Sequence, residues 1–243
     1  MPINALAFDV NGTLIDILTD ESLEEIYRAL RHFLTYQGVD LSRSDLRDLY
    51  FRLMKDQLRA SPESYPEYDA VDIWRTILRE YQTDYTRRLP AATLETMPLF
   101  LAQMYRAISR RRLQLYPYMR EALDRLRGRF PMAIVTDAQS AYAWGELDHV
   151  GLTDYFHPII VSGDVGYRKP DRRLFQAALD AMEVTAGETL FVGNDMYRDI
   201  YGAQQAGMQA LMFNSPQGDK TYGDTSPDFT ISDYRELLPL LGL

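Results

Sequence analysis

The sequence predicts an α/β protein: one parallel sheet covered by helices on both faces, interrupted by an inserted block that is helical throughout. Three observations lead there. After Pro117, short apolar runs alternate with helical segments, which is the pattern of parallel strands joined by crossover helices. A lone apolar run, Ala5 to Phe8, lies far upstream of them, and one strand cannot stand alone, so it must join the later sheet. Between the two, from Asp20 to about Arg112, the apolar period is 3.6 and no strand signal intervenes. The 243 residues, at roughly 150 per domain, fit an interrupted core with an insertion and exceed any small stapled scaffold.

Taken in order, Ala5 to Phe8 reads as a buried strand that stops at Asp9 and turns at Asn11-Gly12-Thr13. Leu23, Ile26, Tyr27, Leu30, Phe33 and Leu34 share one helical face, with Asp20 placed to cap its start and Gly38 to end it. Ser42 and Asp45 have capping-box spacing ahead of Leu46, Leu49, Tyr50, Leu53 and Met54. A third helix carries Val71, Trp74, Ile77, Leu78 and Tyr81. A fourth carries Met97, Leu101, Met104, Tyr105 and Ile108, with Pro98 in its first turn or kinking it, and Arg110, Arg111 and Arg112 at its close, where basic residues favour the helix dipole. Met119 to Arg127 forms a short helix stopped by Gly128, and Met132 to Val135 a strand ending at Thr136-Asp137. Then come helix 139–150, strand 158–161, helix 171–182, strand 189–192, helix 197–206 and strand 209–213, with Phe229 to Ile231 as a sixth strand. The Gly-, Asp-, Ser- and Thr-rich stretch from Ser215 to Pro227 reads as a surface loop.

Composition removes several chemistries. With no cysteine there are no disulfides, thiolate metal sites or thiol nucleophiles. With 35 acidic against 26 basic residues the net charge is −9, which gives little means of neutralising a nucleic-acid backbone, so small molecules or cations are the expected partners. No run approaches the ~20 apolar residues that span a bilayer, and Asp9 interrupts any signal-peptide core, so no membrane is expected and the localisation expected is cytoplasmic. His32, His149 and His157 lack metal-ligand spacing and are assigned to surface or packing, and the 17 tyrosines mostly to helical core faces. Trp74, Tyr65 and Tyr68 are candidates for lining a pocket in the helical block.

In an open parallel sheet, ligands bind at the carboxyl ends of the strands. Four such ends are polar here: Asp9-Val10-Asn11-Gly12-Thr13, Thr136-Asp137, Lys169-Pro170-Asp171, and Gly193-Asn194-Asp195 with Asp199. Together they offer a carboxylate nucleophile, a hydroxyl, a lysine and a divalent-cation site in one crevice.

In this order, with a helical insertion after the first of them, these segments resemble the four motifs of the haloacid dehalogenase-like hydrolase superfamily, in the subgroup with a helical cap. The resemblance spans the chain and implies a Rossmann-like core at 1–15 and 116–243, with a helical cap at 16–115 that closes over the site. It implies Asp9 as a nucleophile that forms an aspartyl-phosphate. It also implies Mg²⁺ held by Asp9, the Asn11 carbonyl, Asp195 and water, with Asp199 holding a metal-bound water or orienting Lys169. Thr136, the Asp137 amide and Lys169 would bind the phosphoryl oxygens. The function implied is hydrolysis of a small phosphorylated metabolite by a monomer or homodimer.

One position departs from the pattern. Phosphatases of this family place a second aspartate two residues after the nucleophile, and here Asn11 stands there. An amide cannot shuttle a proton, and losing a positioned acid–base group costs about 10²–10⁴-fold in rate. Asn11 fits a phosphatase subgroup that accepts good leaving groups or takes its base from elsewhere, a member with different chemistry, or an introduced change that stalls the enzyme. Two alternatives therefore stay open. One is a low-activity binding or regulatory member of the family. The other is a 2-haloacid dehalogenase, whose leaving halide needs no proton. The family's dehalogenases, however, usually carry an aromatic residue at the Asn11 position and a tyrosine shortly after the lysine, where this chain has Phe175.

Overall fold

The computed structural model describes residues 2–243. The strands in chain order are β1 (Ala5–Phe8), β2 (Ile15–Thr19), β3 (Arg110–Leu115), β4 (Met132–Thr136), β5 (Ile159–Val161), β6 (Thr189–Gly193), β7 (Gln209–Phe213) and β8 (Phe229–Ile231). Six of them form one parallel sheet in the order β5-β4-β1-β6-β7-β8. The first strand of the chain thus sits at the centre, with Leu6 beside Met132 on one side and Leu190 on the other.

The four residues of β1 are buried on both faces, as a covered parallel strand requires. Leu6 and Phe8 point into one apolar layer with Leu123, Ile134, Phe156 and Leu190. Ala7 points into the other with Val135, Leu174, Phe175 and Phe191. The period of two that separates these layers is the same period that leaves Asp9, the next residue, at the strand's polar end.

Contacts divide the chain into two units. One comprises the chain through Ile17, Glu63–Tyr65 and Leu113–Leu243; the other comprises Leu18–Pro62 and Pro66–Arg112. The second unit holds helices α1 (Glu24–Tyr36), α2 (Arg43–Ala60), α3 (Ala70–Tyr81), α4 (Asp84–Arg87) and α5 (Ala91–Ser109). Tyr50, Trp74 and Tyr105 pack ring against ring in its interior, so Trp74 is a core residue rather than a pocket wall. Ser42 caps α2 by accepting the Asp45 amide, as the spacing predicts. Asp69 caps α3 by accepting the Asp72 amide at 2.9 Å. Asp69→Ala should cost about 1 kcal/mol, read as a lower denaturant midpoint for loss of helical circular dichroism; an unchanged midpoint would mean that the cap contributes nothing.

Several local expectations are corrected. Asp20 does not cap α1; its carboxylate accepts from the Ser22 amide and hydroxyl in the turn before it. Pro98 lies inside α5, beyond its first turn. Arg110, Arg111 and Arg112 do not close a helix but open β3, which pairs with β2 in a two-stranded ribbon. Each ribbon strand has only two or three residues of alternation, too few to stand out beside long 3.6-period segments.

The first unit continues with α6 (Met119–Leu126), α7 (Ser140–His149), α8 (Ser162–Val165), α9 (Arg172–Met182), α10 (Gly202–Gln205) and α11 (Leu237–Leu240). The helix expected at 197–206 opens instead as a π-helical turn, Met196–Tyr201, before α10. Among the described residues no helix is long and apolar enough to cross a membrane.

Candidate active site

Asp9 follows β1 directly, and its amide is tied to the Val192 carbonyl of the neighbouring strand. The residue is 5% exposed. One carboxylate oxygen accepts from Lys169 Nζ at 2.7 Å, the other from Thr13 Oγ1 at 3.2 Å. Thr13 is held from behind, because the buried Tyr234 hydroxyl donates to its carbonyl at 2.9 Å.

Lys169 is buried and shared: Nζ also donates to Asp199 at 2.6 Å. Burial alone would push this ammonium down, but the carboxylates of Asp199, Asp9 and Asp137 more than reverse that and hold it above the usual lysine range. Lys169 therefore stays charged. Asp199 moves the opposite way from a simple ion pair: burial pushes its carboxyl up, against the pull of Lys169. Its second oxygen accepts the amides of Asn194 and Asp195 at 2.9 and 3.0 Å, so Asp199 braces the turn after β6 and aims the lysine.

Thr136 ends β4 beside β1, and its hydroxyl is buried with no hydrogen-bond partner. An orphaned buried donor is costly unless a ligand satisfies it, and an anionic oxygen would. Asp137 ties two motifs together, since one oxygen accepts the Lys169 amide at 2.9 Å. The loop after β4 is fixed by Ser162, whose hydroxyl accepts the Ala138 amide and donates to the Ala138 carbonyl.

A cavity of about 140 Å³ opens at these strand ends, lined by Asp9, Asn11, Asp137, Lys169, Asn194 and Arg198 among others. Gln217 and Gly218 also line it, so the stretch read as a surface loop is a wall of the site. Its composition marks turns but not the face on which they lie.

The Mg²⁺ that the resemblance implies can be tested against these donors, and they do not fit it. Both Asp195 oxygens are occupied: one accepts the Tyr197 and Arg198 amides, the other accepts Arg198 Nη2 at 2.8 Å and the Asp219 amide at 3.1 Å. Burial works to raise the Asp195 carboxyl, but these donors prevail and hold it below the usual range. Asp199 is likewise engaged on both oxygens. Among the described residues, no three carboxylate or imidazole groups converge as a metal cluster. Of the predicted site residues, the structure brings Asp9, Asn11, Asp137, Lys169 and Asp199 to one cavity, places Thr136 in a small neighbouring pocket that Asn11 also lines, and turns Asp195 away as a helix cap. Sequence reasoning placed Thr13 and Asn194 in polar strand ends without giving them a role, and it missed Arg198 and Gln217.

Comparison with known proteins identifies the family. The profile of the haloacid dehalogenase-like hydrolase family matches residues 3–207. A glyceraldehyde 3-phosphate phosphatase of Methanopyrus kandleri is 26% identical, the alignment covering 98% of this chain and 97% of that protein. A phosphoglycolate phosphatase of Yersinia pestis is 28% identical over 99% and 94%. Among solved structures, a 2-haloacid dehalogenase from Pseudomonas syringae pv. Tomato DC3000 superposes with a TM-score of 0.69 at 25% identity, covering 99% of this chain and 98% of that one. On its matched profile, its six-stranded parallel sheet and its full-length relatives, the chain belongs to the haloacid dehalogenase-like hydrolase family.

Proposed function

We propose that this hydrolase cleaves the phosphate monoester of a small phosphorylated metabolite, with Asp9 as the nucleophile. The observation that carries the reading is the pair of groups flanking Asp9. A buried, charged lysine lies on one carboxylate oxygen, and an unsatisfied threonine hydroxyl waits at the adjacent strand end. A carboxylate attacking a phosphate dianion needs the incoming charge neutralised, and fixed donors at a dry site do this without reorganisation.

In the first step an Asp9 oxygen bonds to phosphorus as the ester bond breaks, and the departing alkoxide takes its proton from water, since the Asn11 amide has none to give. In the second, water attacks the phosphorus of the acyl-phosphate, releasing inorganic phosphate and restoring the carboxylate. Lys169 holds phosphoryl charge through both steps, and the Thr136 hydroxyl and Asp137 amide orient the phosphoryl oxygens. The two full-length relatives named above, both phosphatases of small three- or two-carbon phosphates by name, support this substrate class.

The reading is tested on a panel of small phosphate monoesters and 2-haloacids, following phosphate and halide release together. Phosphate release alone is the expected result. The second reading, carbon–halogen cleavage, is favoured by the lack of an aspartate at position 11 and by the dehalogenase likeness. Halide release without phosphate release would establish it and end the first.

A further inference from the structure

Two side chains outside the predicted set line the cavity with Asp9. The residue that follows β6 and lines the cavity is Asn194, an amide, whereas Asp195 is absent from the lining. Asn194 is 2% exposed, and its side-chain Oδ1 lies 3.1 Å from Thr13 Oγ1, whose single proton is shared between this oxygen and Asp9. Two glycines clamp it. A Cβ on Gly12, whose φ is +84°, would stand 2.3 Å from Asn194 Nδ2, and one on Gly218, at φ +77°, would stand 2.8 Å from the same atom. Both positions need positive φ as well as the missing side chain, so the amide packs directly against the two backbones.

The second residue is Arg198. It rises from the π-helical turn, pairs with Asp195 at 2.8 Å, and lines the cavity within electrostatic range of Asp9. A dication entering the cavity would share it with two cations, Lys169 and Arg198, and like charges repel. A guanidinium also presents a planar fork of donors suited to phosphate oxygens.

Resting on the reading of Asp9 as nucleophile, we infer that the positive charge opposite Asp9 is built into the chain as Arg198, with Asn194 in place of a metal-binding carboxylate, so that hydrolysis here requires no divalent cation. Arg198 acts as a positioning residue for the anionic substrate.

Direct metal binding tests this without relying on turnover. Isothermal titration of Mg²⁺ or Mn²⁺ into the chelator-treated full chain should give no saturable heat, and the melting temperature should move no further than with sodium chloride of equal ionic strength. Saturable binding by the parent that disappears in Asp9→Asn overturns the inference. The Asn194→Asp/Arg198→Ala double variant supplies a carboxylate and withdraws the cation, and it should acquire saturable Mg²⁺ binding. A folded double variant that binds none removes these two residues from the assignment, and if it does not fold the parent titration decides. For substrate, Arg198→Ala should raise KM about tenfold, more than it lowers kcat, with Arg198→Lys restoring most of it. An unchanged KM would leave Arg198 as the Asp195 partner alone and overturn its role. A chain that binds no metal and releases no phosphate refutes the phosphatase reading, and the statement about hydrolysis falls with it, while the exclusion of a divalent cation from this cavity stands.

Discussion

Asp9→Asn should abolish hydrolysis of an activated aryl phosphate, by about 10³-fold or more, the scale seen when a nucleophile is removed from a working constellation. The exchange is isosteric, so the shape of the site survives. Lys169 keeps its 2.6 Å pair with Asp199 and is not left as an unpaired buried charge. The amide oxygen still accepts one donor from Lys169, and Thr13 still has Asn194 as a partner. What disappears is the anionic oxygen able to bond phosphorus. The loss should therefore fall on kcat, with the circular dichroism spectrum and melting temperature close to the parent. Steady-state kinetics on the purified variant decide it. Most of the turnover surviving would move the nucleophile to another group, and a collapsed melting temperature would show that the Asp9–Lys169 pair is needed to fold.

The parts of this site that were legible in the sequence are those fixed by strand ends. Asp9, Thr136 and Lys169 follow apolar runs or precede a helix, and a strand buried on both faces delivers the residue after it to the sheet's carboxyl edge. Which of two adjacent polar residues then faces the cavity is a matter of backbone direction in the following turn. Asn194 and Asp195 differ by one position, and counting carboxylates favours Asp195. The π-helical turn instead spends Asp195 on its own amides and leaves the amide side chain inward. Arg198 was illegible for the same reason, because a period of 3.6 does not describe a π turn. That the first strand joins a later parallel sheet was readable from alternation, whereas the order of the six strands was not, and the ribbon of β2 and β3 was hidden, its arginines read as a helix terminus. Gln217 and Gly218 reach the site by long-range folding of a polar loop, which local composition cannot report.

Asn11→Asp should raise turnover of alkyl phosphates by about 10²–10⁴-fold, the usual contribution of a positioned general acid–base group. The argument is one of leaving groups. In the parent, Asn11 lines the cavity beside Asp9 yet has no proton to deliver, so the departing oxygen leaves as an alkoxide or waits for water. The parent rate should therefore fall steeply as the leaving alcohol becomes more basic, with aryl phosphates turned over and simple alkyl phosphates nearly inert. A carboxyl introduced at position 11 would lie partly buried next to a second carboxylate, and both burial and the like charge push such a group up, toward the protonated form a general acid needs. The gain should be large for alkyl phosphates and small for aryl phosphates, flattening the dependence on leaving-group pKa. It should also bring a new loss of activity on the alkaline side, where the introduced acid deprotonates. Rates of parent and variant across a graded ester series, at several pH values, read all of this at once. A parent whose rates are already flat across that series takes its proton from another residue, and a variant with no gain on any ester shows that position 11 does not face the departing oxygen.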